Sequence, residues 1–400
     1  MKHTIIILLS PQNTSPYYAY KTLGAEFSIR GFNIIFIDIS SPAFDAEILH
    51  AAENNSIAFV LTHNTFKIDL KINEQSFYEK YKALCICIVD TPLPKYEQIK
   101  GAGKNTALMI GDFSFKNMIH SINPEISIYR LTAFNVLTVN FENKPIHERR
   151  TDVLFAGRIG DFENALEGYR FFKRKLGKYI ARAYGFQNEI QIDEVIKKLP
   201  EKTIMEKLFK FFLHLNLSRK ETWDYLWSIV KYIRAQRRNF IMNELLTLPE
   251  SIRVKIITDN AQANKMKQFK KTNIEVLEFM PWADVVNEIR DSKITVNVMP
   301  YHVYSFHERI AAAQYCSSVT VTDENPYLRE KFMNEEDILF YSYESNNLSN
   351  VICNALQKGN VYLQNIADNA FKKSDEHSPS NMADYILKIY DNMKINYPAN

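Results

Sequence analysis

The 400-residue sequence is poor in cysteine: it has 4, and none stands at a metal-binding spacing. Cys85 and Cys87 alternate with isoleucine in one β-rich run, which puts both on one face of a strand, while Cys316 and Cys353 stand alone. An i, i+2 pair is no zinc knuckle, and scattered single thiols build no disulfide framework, so four reduced cysteines in a cytoplasmic protein are expected. Glycine is scarce too, at 11 residues, and Gly24 and Gly31 do not form a G-x-G-x-x-G turn, so the first turn, Ser10 to Pro16, carries no sign of NAD binding. No apolar run reaches the length of a bilayer span. The opening MKHTIIILLSP is cut by Ser10 and Pro11, and no small-residue cleavage site follows. Neither sign of charge dominates: 49 Lys and Arg against 46 Asp and Glu leave a net charge of +3, which argues against a dedicated nucleic-acid binder. No segment has the composition of a disordered region, and no internal repeat is visible.

What remains is 46% hydrophobic and 13% aromatic, enough for two domains each with its own core. The first 140 residues alternate short β-branched runs with helical segments: TIIILL, a helix from about 17 to 30, NIIFIDI, a helix over 43 to 54, SIAFVLT, a helix near 75 to 81, ALCICIVD, TALMIGD and FNVLTVNF. That alternation predicts an α/β fold with a parallel sheet covered by helices. Ligands of such sheets bind beyond the carboxyl ends of the strands, so the residues that end them are candidates. They are polar: His63 and Asn64, then Asp90, then Asp112. Each also serves as an ordinary cap or turn residue.

Residues 141–152, FENKPIHERRTD, are polar, contain a proline and read as an interdomain linker. DVLFAGRIGD then opens a second domain, with Gly157 and Arg158 at the end of its first strand. Helical spacing with little strand signal fills about 162–249, read as a helical insertion. Arg234, Arg237 and Arg238 stand there beside Trp223, Trp227 and Tyr232, and a solvated face over a packing face accounts for them without nucleic acid. RVKIIT, NIEVLEF, the helix ADVVNEIRDS and ITVNVM follow, then ILFYS, a helix over 348–356 and a final amphipathic helix near 381–393.

The run from Ile294 to Phe332 carries the chemistry. ITVNVM is a strand that stops at Pro300, helical spacing resumes after His307, Glu308 and Arg309, and VTVTD is a second strand ending at Asp323. A helix start has unpaired N–H groups and partial positive charge, so an arginine and a histidine placed there suit an anionic ligand. A second HER at 147–149 follows no strand and precedes no alanine-rich helix, and context separates the two copies.

This run resembles the nucleotide-sugar half of GT-B glycosyltransferases, in particular the bacterial group that includes the CgeB-like spore-maturation proteins. The shared positions are Asn297, Pro300, His307, Glu308, Arg309, the alanines 311 to 313, Thr322, Asp323, Tyr327 and Leu328; Asn64, Asp90, Pro92 and Leu93 extend the match into the first domain. Departures are Cys316, Ser317 and Ser318 where the group has a small residue and glycine, Ser305 or Phe306 in place of a loop glycine, and Asp259 and Asn260 where a glycine often ends the strand. The resemblance implies two Rossmann-like domains facing across a cleft, at 1–145 for the acceptor and 146–380 for the donor, with 381–400 as a helix crossing back to the first. It implies transfer of a sugar from a nucleotide-diphosphate sugar to a glycan, a lipid-linked glycan or a protein, with no metal and no other cofactor. Arg309, His307 and the helix N–H groups would stabilise the leaving diphosphate. Gly157 and Arg158 would face the donor; Glu308 and Tyr327 complete the motif; Asn297, Tyr301, Asp323 and Asn325 would surround sugar or ribose hydroxyls. Asn64 would lie on the acceptor side. For an inverting reaction Asp90 is the first candidate base and His63 the second. The rivals are a nucleotide-sugar epimerase of the same fold and a non-catalytic scaffold. No nucleic-acid partner is expected, and the sequence leaves peripheral membrane association, stereochemistry and oligomeric state open.

Overall fold

The computed structural model describes residues 3–10, 14–131, 142–159, 165–168, 170–171, 218–267, 271–299, 307–343 and 345–396. The chain divides into two compact units, one of Met1–Val139 with Asp375–Asn400, the other of Asn140–Ser374.

In the first unit β1 (Thr4–Leu9), β2 (Asn33–Asp38), β3 (Ile57–His63), β6 (Leu84–Val89), β7 (Thr106–Ile110) and β8 (Ser127–Arg130) form one sheet in the order β2-β1-β3-β6-β7-β8. Every pairing in it is parallel. TIIILL, LCICIV and TALMI are buried along their whole length, as strands covered by helices on both faces must be. A short antiparallel hairpin of β4 (Lys71–Ile72) and β5 (Gln75–Ser76) leads into the helix Phe77–Lys80, where the sequence predicts only a helix. The helix Ser15–Ile29 starts on the Thr14 side chain, which accepts from the Tyr17 N–H, and has proline in its first turn. Gly24 of that helix lets it lie on the sheet: a Cβ there would come within 2.4 Å of the Phe36 ring. This scarce glycine serves packing. The chain's last helix, Pro379–Asn396, packs on Ser15–Ile29 and β6 of this unit. Arg30 Nε donates to Asp384 Oδ1 at 2.6 Å, and the Tyr390 and Phe59 ring centres are 5.3 Å apart.

The second unit holds β9 (Thr151–Ala156), β10 (Val254–Ile257), β11 (Ile274–Leu277), β12 (Ser292–Val296), β13 (Val319–Asp323) and β14 (Leu339–Tyr341) in the order β11-β10-β9-β12-β13-β14, again parallel throughout. This is the 3-2-1-4-5-6 doubly wound order, in which the direction of winding reverses between the first and fourth strands and opens a crevice at their carboxyl ends. Here those strands are β9 and β12. The corresponding reversal in the first unit lies between β1 and β3.

Several sequence expectations change. β8 and the helix Asn360–Lys373 were not foreseen, and the strand expected over FNVLTVNF lies outside the described residues, as does most of the expected insertion between 162 and 217. Residues 144–149 are no free linker. The Arg149 guanidinium is buried and donates to the carbonyls of Lys144, Ser292 and Cys316, which pins the entry to β9 inside the second unit. Burial pushes its pKa down to about 10.

Candidate functional site

At the reversal point of the second sheet, β9 runs into Gly157 and β12 into Asn297, on adjacent strands paired Phe155 to Val296. The helix Glu308–Tyr315 begins beside them, capped by His307, whose Nδ1 accepts the Arg309 N–H at 3.4 Å. Arg309 turns inward, only 6% exposed, and its Nη1 donates to Asn297 Oδ1 at 3.2 Å. Its guanidinium lies over Gly157: a Cβ at that position would sit 3.4 Å from Nη2 and 3.5 Å from Cζ. A methyl group there would meet the guanidinium at ordinary van der Waals distance. No carboxylate forms an ion pair with Arg309 among the described residues; burial pushes its pKa down, and the Glu308 carboxylate opposes that shift through space. A buried cation without an ion-pair partner is costly, so a site of this kind favours an anion.

His307 sharpens the point. Its Nε2 lies 3.3 Å from Arg309 Nη2 while its Nδ1 faces the Arg309 N–H. A neutral imidazole accepts at one nitrogen only. It accepts either the Arg309 backbone N–H at Nδ1 or a guanidinium N–H at Nε2, and in both tautomers it lies against the Arg309 side chain at the helix start. Arg158 is exposed and makes no hydrogen bond or ion pair among the described residues.

Asn297, Asp323, Asn325 and Tyr327 are buried, at 0%, 4%, 8% and 4% exposed. Printed bonds of three of them go to protein groups: Asn297, Asp323 and Asn325. Asn297 donates from Nδ2 to Thr322 Oγ1 at 3.0 Å while accepting from Arg309. Asp323 Oδ1 accepts the Met299 N–H at 2.6 Å, and desolvation raises its pKa against the opposing charge of Arg237. Asn325 caps the helix Pro326–Lys331 by accepting the Leu328 N–H at 2.7 Å. Glu308 is partly exposed at the helix start, and Tyr301 lies outside the described residues.

Arg237 is the residue the sequence reading missed, having been placed on a solvated face. Its side chain is 12% exposed, 3.7 Å from Asp323 Oδ2, and donates to the Met299 carbonyl at 2.9 Å. A signal was present. Leu226, Val230, Ile233, Ile241 and Leu245 form the buried stripe of the helix Arg219–Thr247, and Arg237 falls in that stripe at helical spacing.

In the first unit, β3 ends at His63 and pairs there with Ile88 of β6, two residues before Asp90. Asn64 takes φ +47°, a left-handed conformation that asparagine tolerates better than most residues. In that pose its Nδ2 donates to Asp90 Oδ2 at 3.4 Å, and the Asp90 N–H donates back to Asn64 Oδ1 at 3.3 Å. Asp90 keeps surface open to solvent but is crowded by protein atoms; that desolvation raises its pKa, and the bond from Asn64 opposes the rise. His63 is different: it is 5% exposed, its ring lies 5.3 Å from Tyr20 and 5.0 Å from Phe66, and its Nδ1 has no partner. Burial first, then Lys95, pushes its pKa from the ordinary 6.5 down to about 4. Of the two base candidates, only Asp90 shifts toward the range a base needs. Among the described residues no group of three His, Cys, Asp or Glu is placed to hold a metal ion, and no helix is long and apolar enough to cross a membrane.

Residues 237–388 match the family described as "Glycosyl transferase-like". That span contains Arg237, Asn297, Arg309 and Asp323. No curated protein matches the sequence. In three dimensions the chain is similar to sucrose-phosphate synthase from Thermosynechococcus elongatus at 7% identity and TM-score 0.58, over 99% of this chain and 100% of that one. It is similar to Anabaena Alr3699/HepE, solved in complex with UDP and glucose, at 8% identity and TM-score 0.56, over 97% and 99% of the two chains. T4 phage BGT, solved with UDP and Mn2+, aligns at 11% identity and TM-score 0.54, over 98% and 100%. At such identities these likenesses establish the fold, and most of the span matched by the family lies in the second unit. The chain thus has the α/β architecture of GT-B folds, with two doubly wound units, and its residues 237–388 are similar to the glycosyl transferase-like family.

Proposed function

We propose that this chain takes a sugar from a nucleoside-diphosphate sugar and transfers it to an acceptor hydroxyl or amide, without a metal ion. The observation that carries the reading is Arg309: a buried guanidinium without an ion-pair partner, aimed by Asn297, seated over Gly157 and set at the start of a helix on the reversal point of a doubly wound sheet. In the reaction the bond from the anomeric carbon to the diphosphate oxygen breaks, and the new bond forms to the acceptor. Negative charge grows on the departing diphosphate. Arg309 and His307 are side-chain donors for it at a helix start, each worth on the order of 3 kcal/mol in a dry site. Arg158, exposed beside Gly157, can reach the same charge.

Asp90, with its pKa raised by desolvation and its orientation fixed by Asn64, takes the acceptor proton if the reaction inverts the anomeric centre. A glycan, a lipid-linked glycan or a protein would each offer a suitable group. Neither the family match nor the fold comparisons favour an epimerase.

The test is a screen of UDP-, GDP-, CMP- and TDP-sugars for hydrolysis and thermal stabilisation, run with and without EDTA. One nucleotide class should stabilise the protein and be hydrolysed slowly in either condition. No response to any donor sinks the reading, and a response lost in EDTA sinks its metal-free part.

A further inference from the structure

We propose that Arg237 is a positioning residue for Arg309, acting with Asp323 through the end of β12. The inference rests on the reading of Arg309 as the diphosphate-binding group. Beyond Val296 the strand loses its regular pairing, and the Asn297 N–H to Val321 carbonyl bond at 2.8 Å is its last backbone–backbone link to β13 among the described residues. Side chains then take over. Asp323 Oδ1 accepts the Met299 N–H at 2.6 Å and Arg237 Nη1 donates to the Met299 carbonyl at 2.9 Å, so the two members of one partly buried ion pair hold both backbone groups of one residue. Behind them the Arg237 guanidinium carbon lies 4.8 Å from the centre of the Tyr343 ring, and the Tyr341 hydroxyl, 3.0 Å from that of Tyr343, donates to the Asn297 carbonyl at 3.2 Å.

The clamp therefore fixes Asn297 at its carbonyl and, two residues on, at Met299. The amide of Asn297 does the aiming: Nδ2 is tied to Thr322 and Oδ1 to Arg309. A slack Met299 lets Asn297 move, and the buried guanidinium loses the partner that sets its direction. Three elements far apart in sequence thus converge on one donor: the long helix through Arg237, β13 through Asp323, and β14 through Tyr341.

The experiment compares Arg237→Met, Arg237→Lys, Arg309→Ala and the Arg237→Met/Arg309→Ala pair. Arg237→Met/Asp323→Asn, which removes both charges together, serves in place of Arg237→Met, alone and with Arg309→Ala, should the single variant fail to fold. Two readouts are taken: hydrogen exchange over residues 294–299, and the Kd for whichever of UDP, GDP, CDP and TDP stabilises the wild-type protein most. Arg237→Met should speed exchange at 297–299 while that of β9 holds, and weaken nucleotide binding by on the order of tenfold to a hundredfold, as misplacement of a binding group does. Arg237→Lys, which keeps a donor for the Met299 carbonyl, should recover part of that loss. In the Arg309→Ala background Arg237→Met should add less than about twofold, because it acts through the residue already removed. Additive losses would show that Arg237 touches the ligand itself, and an unchanged Kd beside a lowered Tm would show a purely structural pair; either result overturns the proposal. A wild-type protein that binds none of the four nucleotides overturns the glycosyl-transfer reading and this inference together, whereas normal nucleotide binding untouched by Arg237→Met overturns this inference alone.

Discussion

Asn297 Oδ1 accepts from Arg309 Nη1 at 3.2 Å, and that bond joins the end of a buried strand to the start of a helix 12 residues later in the sequence. Asn297 has no exposed surface, so its amide acts on whatever Arg309 binds only through Arg309.

Asn297→Ala leaves the Arg309 guanidinium and the Thr322 hydroxyl short of a partner each. Loss of a buried hydrogen-bonding partner costs about 1–3 kcal/mol. Denaturant unfolding should show a loss of that size, and nucleotide affinity should fall although no ligand contact has been removed. Unchanged affinity would separate Asn297 from the site.

Asp90→Asn keeps the shape of the side chain and its exchange of hydrogen bonds with Asn64 while removing the proton acceptor. For an inverting reaction, kcat should fall far more than donor binding, as removal of an interaction used only in the transition state requires. Because desolvation raises the Asp90 pKa, the acid limb of kcat/KM in the wild-type enzyme should lie above the ordinary aspartate value of 3.8 and vanish in the variant. Equal losses in rate and binding would remove Asp90 from the role of base.

His63 bears on stability. Its folded-state pKa, about 4, lies below its ordinary value of 6.5, so between those values the unfolded chain binds the extra proton. Stability is therefore full above about pH 6.5 and falls as pH drops through the window to about 4, by roughly 3 kcal/mol for a shift of this size. His63→Phe should flatten that part of the curve. A variant with the same acid sensitivity as the wild-type protein would show that His63 is already protonated there or lies outside the folded core.

Much of this fold is legible in the sequence because buried parallel strands read as unbroken apolar runs, and TIIILL, CICIV and TALMI are such runs. The edge strand β8 is not: SIYR is half-buried along its length and carries no such run. The helix start at Arg309 is legible from local order, strand then polar turn then alanine-rich helix. The inward turn of Asn297 and Asp323 is not, since polar residues at strand ends read alike whether they face a ligand or hold the backbone. Arg237 and Met299 meet across 62 residues of sequence, and periodicity places the arginine in a stripe without naming the carbonyl that receives it. The depressed pKa of His63 comes from burial first and then Lys95, 32 residues further along the chain, and the Tyr20 ring against it comes from another helix; no local pattern encodes either.

The central claim is that Arg309 grips a diphosphate, and the most direct measurement is thermal unfolding of the wild-type protein and of Arg309→Ala across a titration of UDP, GDP, CDP and TDP. One nucleotide should stabilise the wild-type protein saturably, by about 2.7 kcal/mol at a hundredfold excess over Kd, and leave Arg309→Ala, folded but without that grip, nearly unmoved at the same concentration. Equal stabilisation of both proteins, or none of either, would contradict the account.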